Sequence, residues 1–387
     1  MGNRPEAKAA DSSWQARRAH LNHENTWSGI RKDFGNLQPV AFFIRIHLMR
    51  LLVCEYVTGG GLAGKPLSGG LLREAELMVH ALAADLASLP DVSACIARDI
   101  RLRRLPLSLA TLSIADEPWE RWAEALVQVD AFWPIAPETG GVLERLAHMA
   151  ETAGVTLLGC PPSAIALATS KRTTIAKLAA AGIPTPYTLP LAAFHQLPQS
   201  VSGYVVKPDD GCGAEGVHIF QNQRELARYA AGIAATRAET NLIVQPRIRG
   251  EAHSLSLICR NGNAALLSCN RQLLTNTGTQ LRYVGFVVGG AEKYREAYVR
   301  LAERIATAIP QLSGYVGVDL IASPVGPVVL EINPRLTTPY AALSHSLETN
   351  VAALILTSAL GRPLPAVRPK RVIKLILNSK GSRETPH

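Results

Sequence analysis

Two features are scarce in this sequence: cysteine, and long stretches of uncharged apolar residues. No Cys-x-x-Cys pair occurs, which argues against a zinc site, and most of the cysteines lie in apolar surroundings, as buried free thiols do. No uncharged apolar run reaches the roughly 18 residues that would span a bilayer, and no signal peptide stands out. We therefore predict a cytoplasmic protein with no membrane role. The six cysteines are Cys54, Cys95, Cys160, Cys212, Cys259 and Cys269.

Aromatic residues make up only 5% of the 387 residues, and no arginine-rich stripe is interleaved with them. This composition argues against nucleic-acid binding. A hydrophobic content of 47% with 18% charged residues is typical of a globular protein with room for two or three structural units. The formal net charge of +9 indicates anionic ligands, with ordinary surface charge as the alternative. The oligomeric state stays open, and a homo-oligomer is among the options.

The first residues of the chain differ in character from the rest. Residues 1–47 carry seven lysines and arginines, four acidic residues and three histidines, with little periodicity. Met49 is then followed at once by a strand-like run. We expect residues 1–48 to form a disordered extension, and a misassigned start codon is one hypothesis for its origin.

Strands alternate with helices over residues 49–162. Short apolar, β-rich runs predict the strands, and apolar residues at helical spacing predict the helices between them. This alternation favours an α/β domain with a parallel, doubly wound sheet. The strands are predicted at 51–57, 92–96, 131–135 and 155–158, and the helices at 71–86, 119–129 and 143–153.

The organisation changes after Pro161-Pro162. One helix is predicted from about residue 163 to 181, and a second long helix covers about 340–360. Between them, the strands from Gly203 onward are linked as antiparallel hairpins, so residues 163–362 predict an α+β domain. The basic tail over 363–387 is expected to be partly disordered.

A glycine-rich segment comes directly after the predicted strand that contains Lys207. Gly211, Gly213 and Gly216 could bring backbone N–H groups close to phosphate oxygens, and the lysine adds a positive charge. The spacing is not that of a P-loop, and no helix comes at once as in a Rossmann turn. The segment therefore predicts either a phosphate-binding loop or a bare hairpin loop.

Three oxygen-donor side chains lie on two neighbouring predicted strands near the end of the chain. Glu331 and Asn333 are two residues apart, so they project from the same face of their strand, and Asp319 lies on the strand before it. Mg²⁺ in proteins is bound by one or two carboxylates and completes its shell with phosphate and water. The pattern favours a magnesium site over a solvated sheet face.

Taken in order, these segments resemble the ATP-grasp superfamily over roughly residues 49–360. The resemblance implies an α/β substrate-side domain over 49–162, followed by an α+β ATP-grasp domain with lobes at about 163–248 and 249–362. It implies that ATP binds between the lobes and that Lys171 and Lys207 contact its phosphates. The backbone from Gln245 to Ile248 would then hold adenine.

The same resemblance implies the metal and acid-binding residues. Asp319, Glu331 and Asn333 would hold one or two magnesium or manganese ions, and Arg335 would meet the carboxylate substrate or acyl phosphate. Glu251 is the candidate for the ribose. It directly follows Gly250, whereas the family's usual ribose carboxylate lies one residue further on, and many members have Glu where this chain has Gln245.

Three segments narrow the resemblance. Cys54-Glu-Tyr-Val-Thr-Gly-Gly-Gly61, Ala136-Pro-Glu-Thr139 and Ser268-Cys-Asn-Arg-Gln272 are similar to the tyramine–glutamate ligases of methanofuran biosynthesis, which have relatives in bacteria that make methylofuran for one-carbon metabolism. Glu55, Glu138, Asn270 and Arg271 are then candidates for the substrate side. The alternatives are turn or helix caps for the two glutamates and a surface strand position for Arg271.

The resemblance implies an ATP-dependent ligase that joins a small carboxylic acid to an amine through an acyl phosphate. Lys207, Arg335 and Arg271 would be its catalytic residues, with no covalent nucleophile, so that Cys212 in the glycine-rich loop would have no chemical role. One alternative is a ligase for other amino acids or peptides. A second is a non-catalytic ATP-binding regulator, which would be expected to lack a metal ligand or a lysine that this sequence retains.

Overall fold

The computed structural model describes residues 48–67, 69–211, 213, 215–236 and 241–377. The extension predicted over residues 1–48 lies outside the described residues, apart from its last residue. Cys212 and the end of the basic tail also lie outside them. The described cysteines carry free thiols. No helix in the described part of the chain is both long and apolar enough to cross a membrane.

The first sheet has five parallel strands in the order β3-β2-β1-β4-β5. Its central strand β1 is buried on both faces, since Leu51 to Cys54 are all completely inaccessible to solvent, as expected for a parallel sheet covered by helices. The strands are β1 (Met49–Glu55), β2 (Val92–Asp99), β3 (Ala110–Ile114), β4 (Ala131–Ile135) and β5 (Thr156–Leu157). The helices of this region are α1 (Gly69–Ala87), α2 (Pro118–Leu126) and α3 (Val142–Ala153).

The glycine run after β1 is required by packing. A side chain at Gly59 would collide with the carbonyl of Glu55, and one at Gly61 would collide with the ring of Tyr56. The Gly59 carbonyl also accepts a hydrogen bond of 3.2 Å from the indole of buried Trp122. This loop is therefore held tightly against α2.

Two short helices come after β5, where the sequence predicted one over 163–181. They are α4 (Pro162–Thr169) and α5 (Lys171–Ala180). Ser170 is extended between them, and its side chain accepts a hydrogen bond from the backbone N–H of Thr173. This N-cap ends one helix, begins the next, and sets Lys171 as the first residue of α5.

The second sheet is antiparallel and has the order β14-β13-β10-β11-β12-β8-β7-β9-β6, with β15 paired to β12. A single pairing of Gln280 with His218 joins its two halves. The first half contains β6 (Leu189–Pro190), β7 (Tyr204–Pro208), β8 (His218–Phe220), α6 (Gln223–Ala235) and β9 (Leu242–Pro246). The second contains β10 (Glu251–Arg260), β11 (Asn263–Thr277), β12 (Gln280–Val288), α7 (Arg295–Ala308), β13 (Gly314–Ser323) and β14 (Gly326–Asn333).

The end of the described chain differs from the sequence prediction in two ways. The helix predicted over 340–360 is divided into α8 (Tyr340–Leu347) and α9 (Val351–Ala359), because Asn350 caps the second helix. The basic tail supplies the strand β15 (Ile373–Ile376), which the sequence had not predicted. The predicted fold class, a parallel α/β region followed by an α+β domain with an antiparallel sheet, is confirmed.

Candidate active site

The structure brings Asp319, Glu331 and Asn333 to one face of the sheet. Asp319 pairs with Glu331 across β13 and β14, and Gly317 pairs with Asn333. Residues two apart on a strand share a face, so the three side chains project to the same side. Asn333 is 9% exposed. A side chain at Gly317 would touch Asn333, so this glycine leaves room beside the amide.

The two carboxylates lie opposite each other and are only partly exposed, with the Glu331 side chain 16% exposed. Burial raises the pKa of Asp319 well above its ordinary value, and the neighbouring charge of Glu331 raises it further. Burial would also raise the pKa of Glu331, but the positive charges of Lys171 and Lys207 lower it below the ordinary value. Two like charges this close favour a bound proton or cation between them.

Two carboxylates and an amide oxygen are ligands that suit magnesium. Among the described residues, no group of three or more His, Cys, Asp or Glu side chains has a metal-binding arrangement. The set at Asp319 consists of two carboxylates and the amide of Asn333, so all of its donor atoms are oxygens. This composition fits a hard cation that keeps part of its shell for phosphate and water.

Two buried lysines face the carboxylates. The ammonium of Lys171 lies 3.4 Å from Glu331 Oε2, and it donates to the carbonyls of Asp209 and Gly211. Lys207 is 6% exposed on β7. Burial lowers the pKa of Lys207 to about 8, against the opposing attraction of Glu331. The two ammonium groups and two carboxylates together form a charged centre between the two halves of the antiparallel sheet.

Asp209 connects the glycine-rich loop to helix α5, and sequence reasoning had not selected it. Its carboxylate accepts hydrogen bonds from the side chain of Ser170 at 2.7 Å and from the backbone of Arg172 at 2.8 Å. Its carbonyl accepts one from the backbone N–H of Lys171 at 3.0 Å. An acidic residue at a helix N-terminus is favourable because it complements the helix dipole. Asp209 thereby fixes Lys171 beside the loop.

Two of the three predicted loop glycines have left-handed backbone conformations. Gly213 and Gly216 have φ angles of 67° and 68°, in the left-handed region that glycine readily adopts. A side chain at Gly211 would lie 2.9 Å from the ring of Pro208. Gly211 lines a cavity between the two halves of the antiparallel sheet, whereas Gly213 and Gly216 do not line it.

The cavity between the two halves of the antiparallel sheet has a volume of about 730 Å³. This volume lies within the range of small-molecule sites, about 300–1,000 Å³. The cavity contains the predicted phosphate-side, adenine-side and metal-side residues, while Asn333 and Arg335 lie outside its lining. The predicted residues that line it are Lys171, Lys207, Gly211, Gln245, Ile248, Glu251, Arg271, Asp319 and Glu331.

The predicted adenine end has one buried and one exposed polar side chain. Gln245 is 3% exposed, and its amide donates to the hydroxyl of Thr188 at 2.8 Å. The side chain of Glu251 is 57% exposed and lies 3.3 Å from His253. Gln245 is thus held in place by a neighbouring segment, whereas Glu251 stands at the rim.

Gln272, which the sequence analysis had not selected, lies beside Asp319, whereas Arg271 projects from the other face of β11. Ser254 pairs with both Asp319 and Asn270, which places Asn270 and Gln272 on the face of Asp319 and turns Arg271 to the other face. Gln272 is 8% exposed and donates to Asp319 Oδ1 at 2.9 Å. Arg271 pairs with His253 and still lines the cavity, so its substrate-side role stays a prediction.

Asn270 and Glu55 have internal hydrogen-bond partners. The amide of Asn270 donates to the hydroxyl of Ser256 at 3.1 Å and accepts from that of Ser268 at 2.7 Å, in a buried network. Glu55 Oε2 accepts from the backbone and hydroxyl of Thr58 at 2.7 and 2.8 Å. Glu55 therefore caps the turn after β1, which was the alternative to a substrate role.

Arg335 and Glu138 connect the two domains. The guanidinium donates to Glu138 Oε2 through Nε at 3.1 Å and Nη2 at 2.9 Å, and to the carbonyl of Leu336. Both side chains are largely buried, at 13% and 6% exposed. Because two N–H groups reach one carboxylate, the pair is well oriented. Arg335 is thereby held near the carboxyl end of β4 in the parallel sheet.

Comparison with known proteins agrees with this geometry. Residues 168–339 match the ATP-grasp domain, and residues 92–165 match the pre ATP-grasp 3 domain. Over 330 residues the chain is 28% identical to tyramine–L-glutamate ligase of Methanocaldococcus jannaschii, a match that covers 84% of this chain and 93% of the relative.

Two solved structures share the fold. An ATP-grasp superfamily protein from Archaeoglobus fulgidus is 24% identical with a TM-score of 0.63, covering 84% of this chain and 91% of that one. L-amino acid ligase from Bacillus licheniformis is 17% identical with a TM-score of 0.57, covering 82% and 75%. At these identities the two likenesses concern the fold alone. The matched models show that the chain contains an ATP-grasp domain over residues 168–339, and the chain resembles tyramine–glutamate ligase over most of its length.

Proposed function

We propose that this protein is an ATP-dependent carboxylate–amine ligase that forms an amide bond through an acyl phosphate. The observation that carries the proposal is the Asp319–Glu331 carboxylate pair, partly exposed to one cavity and facing the buried Lys171 and Lys207. A charged centre of this kind is costly to bury unless a ligand compensates it. A nucleoside triphosphate supplies negative charge for the two lysines, and its divalent cation supplies positive charge for the two carboxylates.

The residues divide the work by charge. Asp319, Glu331 and Asn333 would hold magnesium, which, when bound, neutralises phosphate charge during phosphoryl transfer. Lys171 and Lys207, each 6% exposed, hold positive charge where phosphate oxygens would lie. Gln272 keeps Asp319 oriented by its hydrogen bond. All of these side chains except Asn333 line the same cavity.

The acid substrate would meet Arg335. This guanidinium lies two residues after Asn333, and it is the basic group of the Asn-Pro-Arg segment. It would bind the carboxylate that receives the phosphoryl group and stabilise the negative charge that develops there. The amine then attacks the acyl carbon, the bond from that carbon to the phosphate oxygen breaks, and phosphate leaves with a proton from the amine.

L-Glutamate and tyramine are the substrates that we propose, because the relative with 93% of its length matched is named for them. This choice places the enzyme in methanofuran- or methylofuran-type cofactor biosynthesis in the cytoplasm. The second candidate is a ligase for other amino acids or peptides, and the shared fold of an L-amino acid ligase is the observation that favours it. A non-catalytic ATP-binding regulator is less favoured, because Asp319, Glu331 and both lysines are retained.

An ADP-release assay tests the proposal. Wild-type protein with Mg-ATP should release ADP only when L-glutamate is present, and tyramine should convert the product to γ-glutamyltyramine or its α-linked isomer, identified by mass spectrometry. Other amino acids as acid or amine test the second candidate. ADP release that needs neither acid nor amine would contradict the ligase assignment.

The variant Glu331→Gln provides the matched test of the metal site. It removes one negative charge and keeps the shape of the side chain, so the melting temperature should change little. Magnesium-dependent turnover should fall by about 100-fold or more, because a carboxylate ligand is lost. Glu296→Gln, on the exposed surface of α7, is the control. Near-normal turnover in Glu331→Gln would count against the metal assignment.

A further inference from the structure

The loop after β4 lies where an α/β sheet commonly binds its ligand. In the order β3-β2-β1-β4-β5, successive strands of the chain are added on one side from β1 to β3 and on the other side from β4 to β5. The direction of strand addition therefore reverses between β1 and β4. Ligands of such sheets bind beyond the carboxyl ends of the strands at this reversal. Glu138 lies three residues beyond the end of β4, so it stands at this crevice.

Glu138 has one satisfied and one unsatisfied carboxylate oxygen. The residue is 5% exposed, and its Oε2 accepts both hydrogen bonds from Arg335. Its Oε1 is buried and has no hydrogen-bond partner among the described residues. A buried acceptor without a donor costs about 1–3 kcal/mol, and more when it is charged. The orphan oxygen therefore indicates a donor that the described residues do not supply.

The chemistry of the substrates selects that donor. The carboxylate of the acid and the phosphates of the nucleotide present only acceptor oxygens, which a second carboxylate repels. L-Glutamate also carries N–H groups on its α-ammonium, but the amine substrate alone reacts through such a nitrogen, and it must approach the acyl group held by Arg335. Because Arg335 is bonded to the other oxygen of Glu138, the orphan oxygen is adjacent to that approach.

We propose that Glu138 Oε1 accepts a hydrogen bond from the nitrogen of the primary amine substrate and orients it toward the acyl carbon. This inference rests on the proposed ligase function and adds the subsite for its second substrate. Glu138 then serves both reactants, since Oε2 aligns the guanidinium that binds the acid and Oε1 aligns the amine. The bond to Arg335 fixes the carboxylate so that its free oxygen needs no reorganisation.

The variant Glu138→Gln separates the two roles. Its carbonyl oxygen can still accept from Arg335, but an NH₂ group replaces the orphan oxygen and faces the N–H groups of the amine. The KM for tyramine should rise by about tenfold or more, which corresponds to one lost hydrogen bond to a charged group. Hydroxylamine at high concentration traps acyl phosphate without this subsite, so glutamate-dependent hydroxamate formation should fall much less than amide formation at low tyramine concentration.

Two further variants provide controls. Thr139→Val changes the next residue of the same loop, whose hydroxyl donates to the carbonyl of Asp210 at 2.8 Å, and it should leave the tyramine KM unchanged. Glu138→Asp keeps the charge on a shorter side chain, and it should raise the tyramine KM less than Glu138→Gln does. This variant also serves if Glu138→Gln fails to fold.

The outcomes are distinguishable. An unchanged tyramine KM in Glu138→Gln overturns the subsite and leaves Glu138 as a link between domains whose free oxygen is hydrated. A parallel loss of hydroxamate formation and amide formation also overturns it, because Glu138 would then act only through Arg335. A raised KM for L-glutamate in place of tyramine in Glu138→Gln would assign the oxygen to the α-ammonium and overturn an amine subsite. If wild-type protein forms no glutamate-dependent hydroxamate, the proposed function itself fails, whatever the variants do.

Discussion

Glu55 should make the stability of the parallel sheet depend on pH. Its carboxylate is 3% exposed at the end of β1, and burial raises its pKa from the ordinary value of 4.5 to about 7, despite hydrogen bonds from Thr58 that lower it. Between these two values the folded protein keeps a proton that the unfolded chain has released. Stability therefore falls as pH rises, with the contribution fully present below about pH 4.5 and lost as pH passes about 7.

The magnitude follows from the pKa difference. At about 1.4 kcal/mol for each pH unit, a rise from 4.5 to about 7 corresponds to about 3 kcal/mol. Glu55→Gln stays neutral at every pH and keeps an acceptor oxygen for the hydroxyl of Thr58. Relative to wild type, its free energy of unfolding should change little at pH 5 and should increase toward pH 8 by an amount on the order of 3 kcal/mol.

Urea unfolding followed by tryptophan fluorescence measures this difference, since Trp119, Trp122 and Trp133 all belong to the parallel-sheet domain. Glu120→Gln, on the exposed face of α2, gives the effect of removing one surface charge from the same domain. If the difference between Glu55→Gln and wild type is constant from pH 5 to pH 8, the carboxylate is not protonated in the folded state. If the variant is instead less stable at pH 8, an ionised Glu55 is required and a substrate role regains support.

Three other substitutions test separate parts of the site and fold. Gln272→Leu removes the donor to Asp319, so the magnesium concentration for half-maximal ADP release should rise by about 10–100-fold, and an unchanged value would exclude an orienting role. Arg335→Ala should lower glutamate-dependent turnover by about tenfold or more while calorimetry gives wild-type ADP affinity; a change in ADP affinity alone would reassign Arg335 to the nucleotide. Gly203→Ala, at a φ of 84° with the carbonyl of Phe220 in the way, should lower the free energy of unfolding by about 1–3 kcal/mol in urea titrations, unless the turn relaxes.

The fold could be predicted from the sequence wherever local periodicity and burial agree. The strongly apolar runs of β1 and β4 predict strands because these strands are covered on both faces. Ala110–Ile114 was missed, because this edge strand is largely exposed and carries two hydroxyl residues. The short strand Ile373–Ile376 was also missed, because it forms only by pairing with β12 and its position in a basic tail provides little local signal.

One missed feature had a readable signal. Ser170 and Thr173 form an N-cap pattern within the predicted helix over 163–181, and the structure divides the helix there. This division matters for the site because it makes Lys171 the first residue of a helix and places its ammonium over the loop after β7. A continuous helix would have left Lys171 in a middle turn, with no local reason for its side chain to face Glu331.

The residues of the site differ in how far local sequence determines them. Glu331 and Asn333 could be paired from the sequence because alternation along one strand is a local rule, and a short hairpin brings Asp319 opposite them. The contact of Gln272 with Asp319 could not be predicted, because it depends on the register of β11 against β10, and a one-residue change in register would bring Arg271 to that face instead. The bond from Arg335 to Glu138 joins residues 197 positions apart, so no local pattern encodes it. Roles that depend on one strand are therefore predictable here, whereas the subsite for the second substrate arises only where the two domains meet.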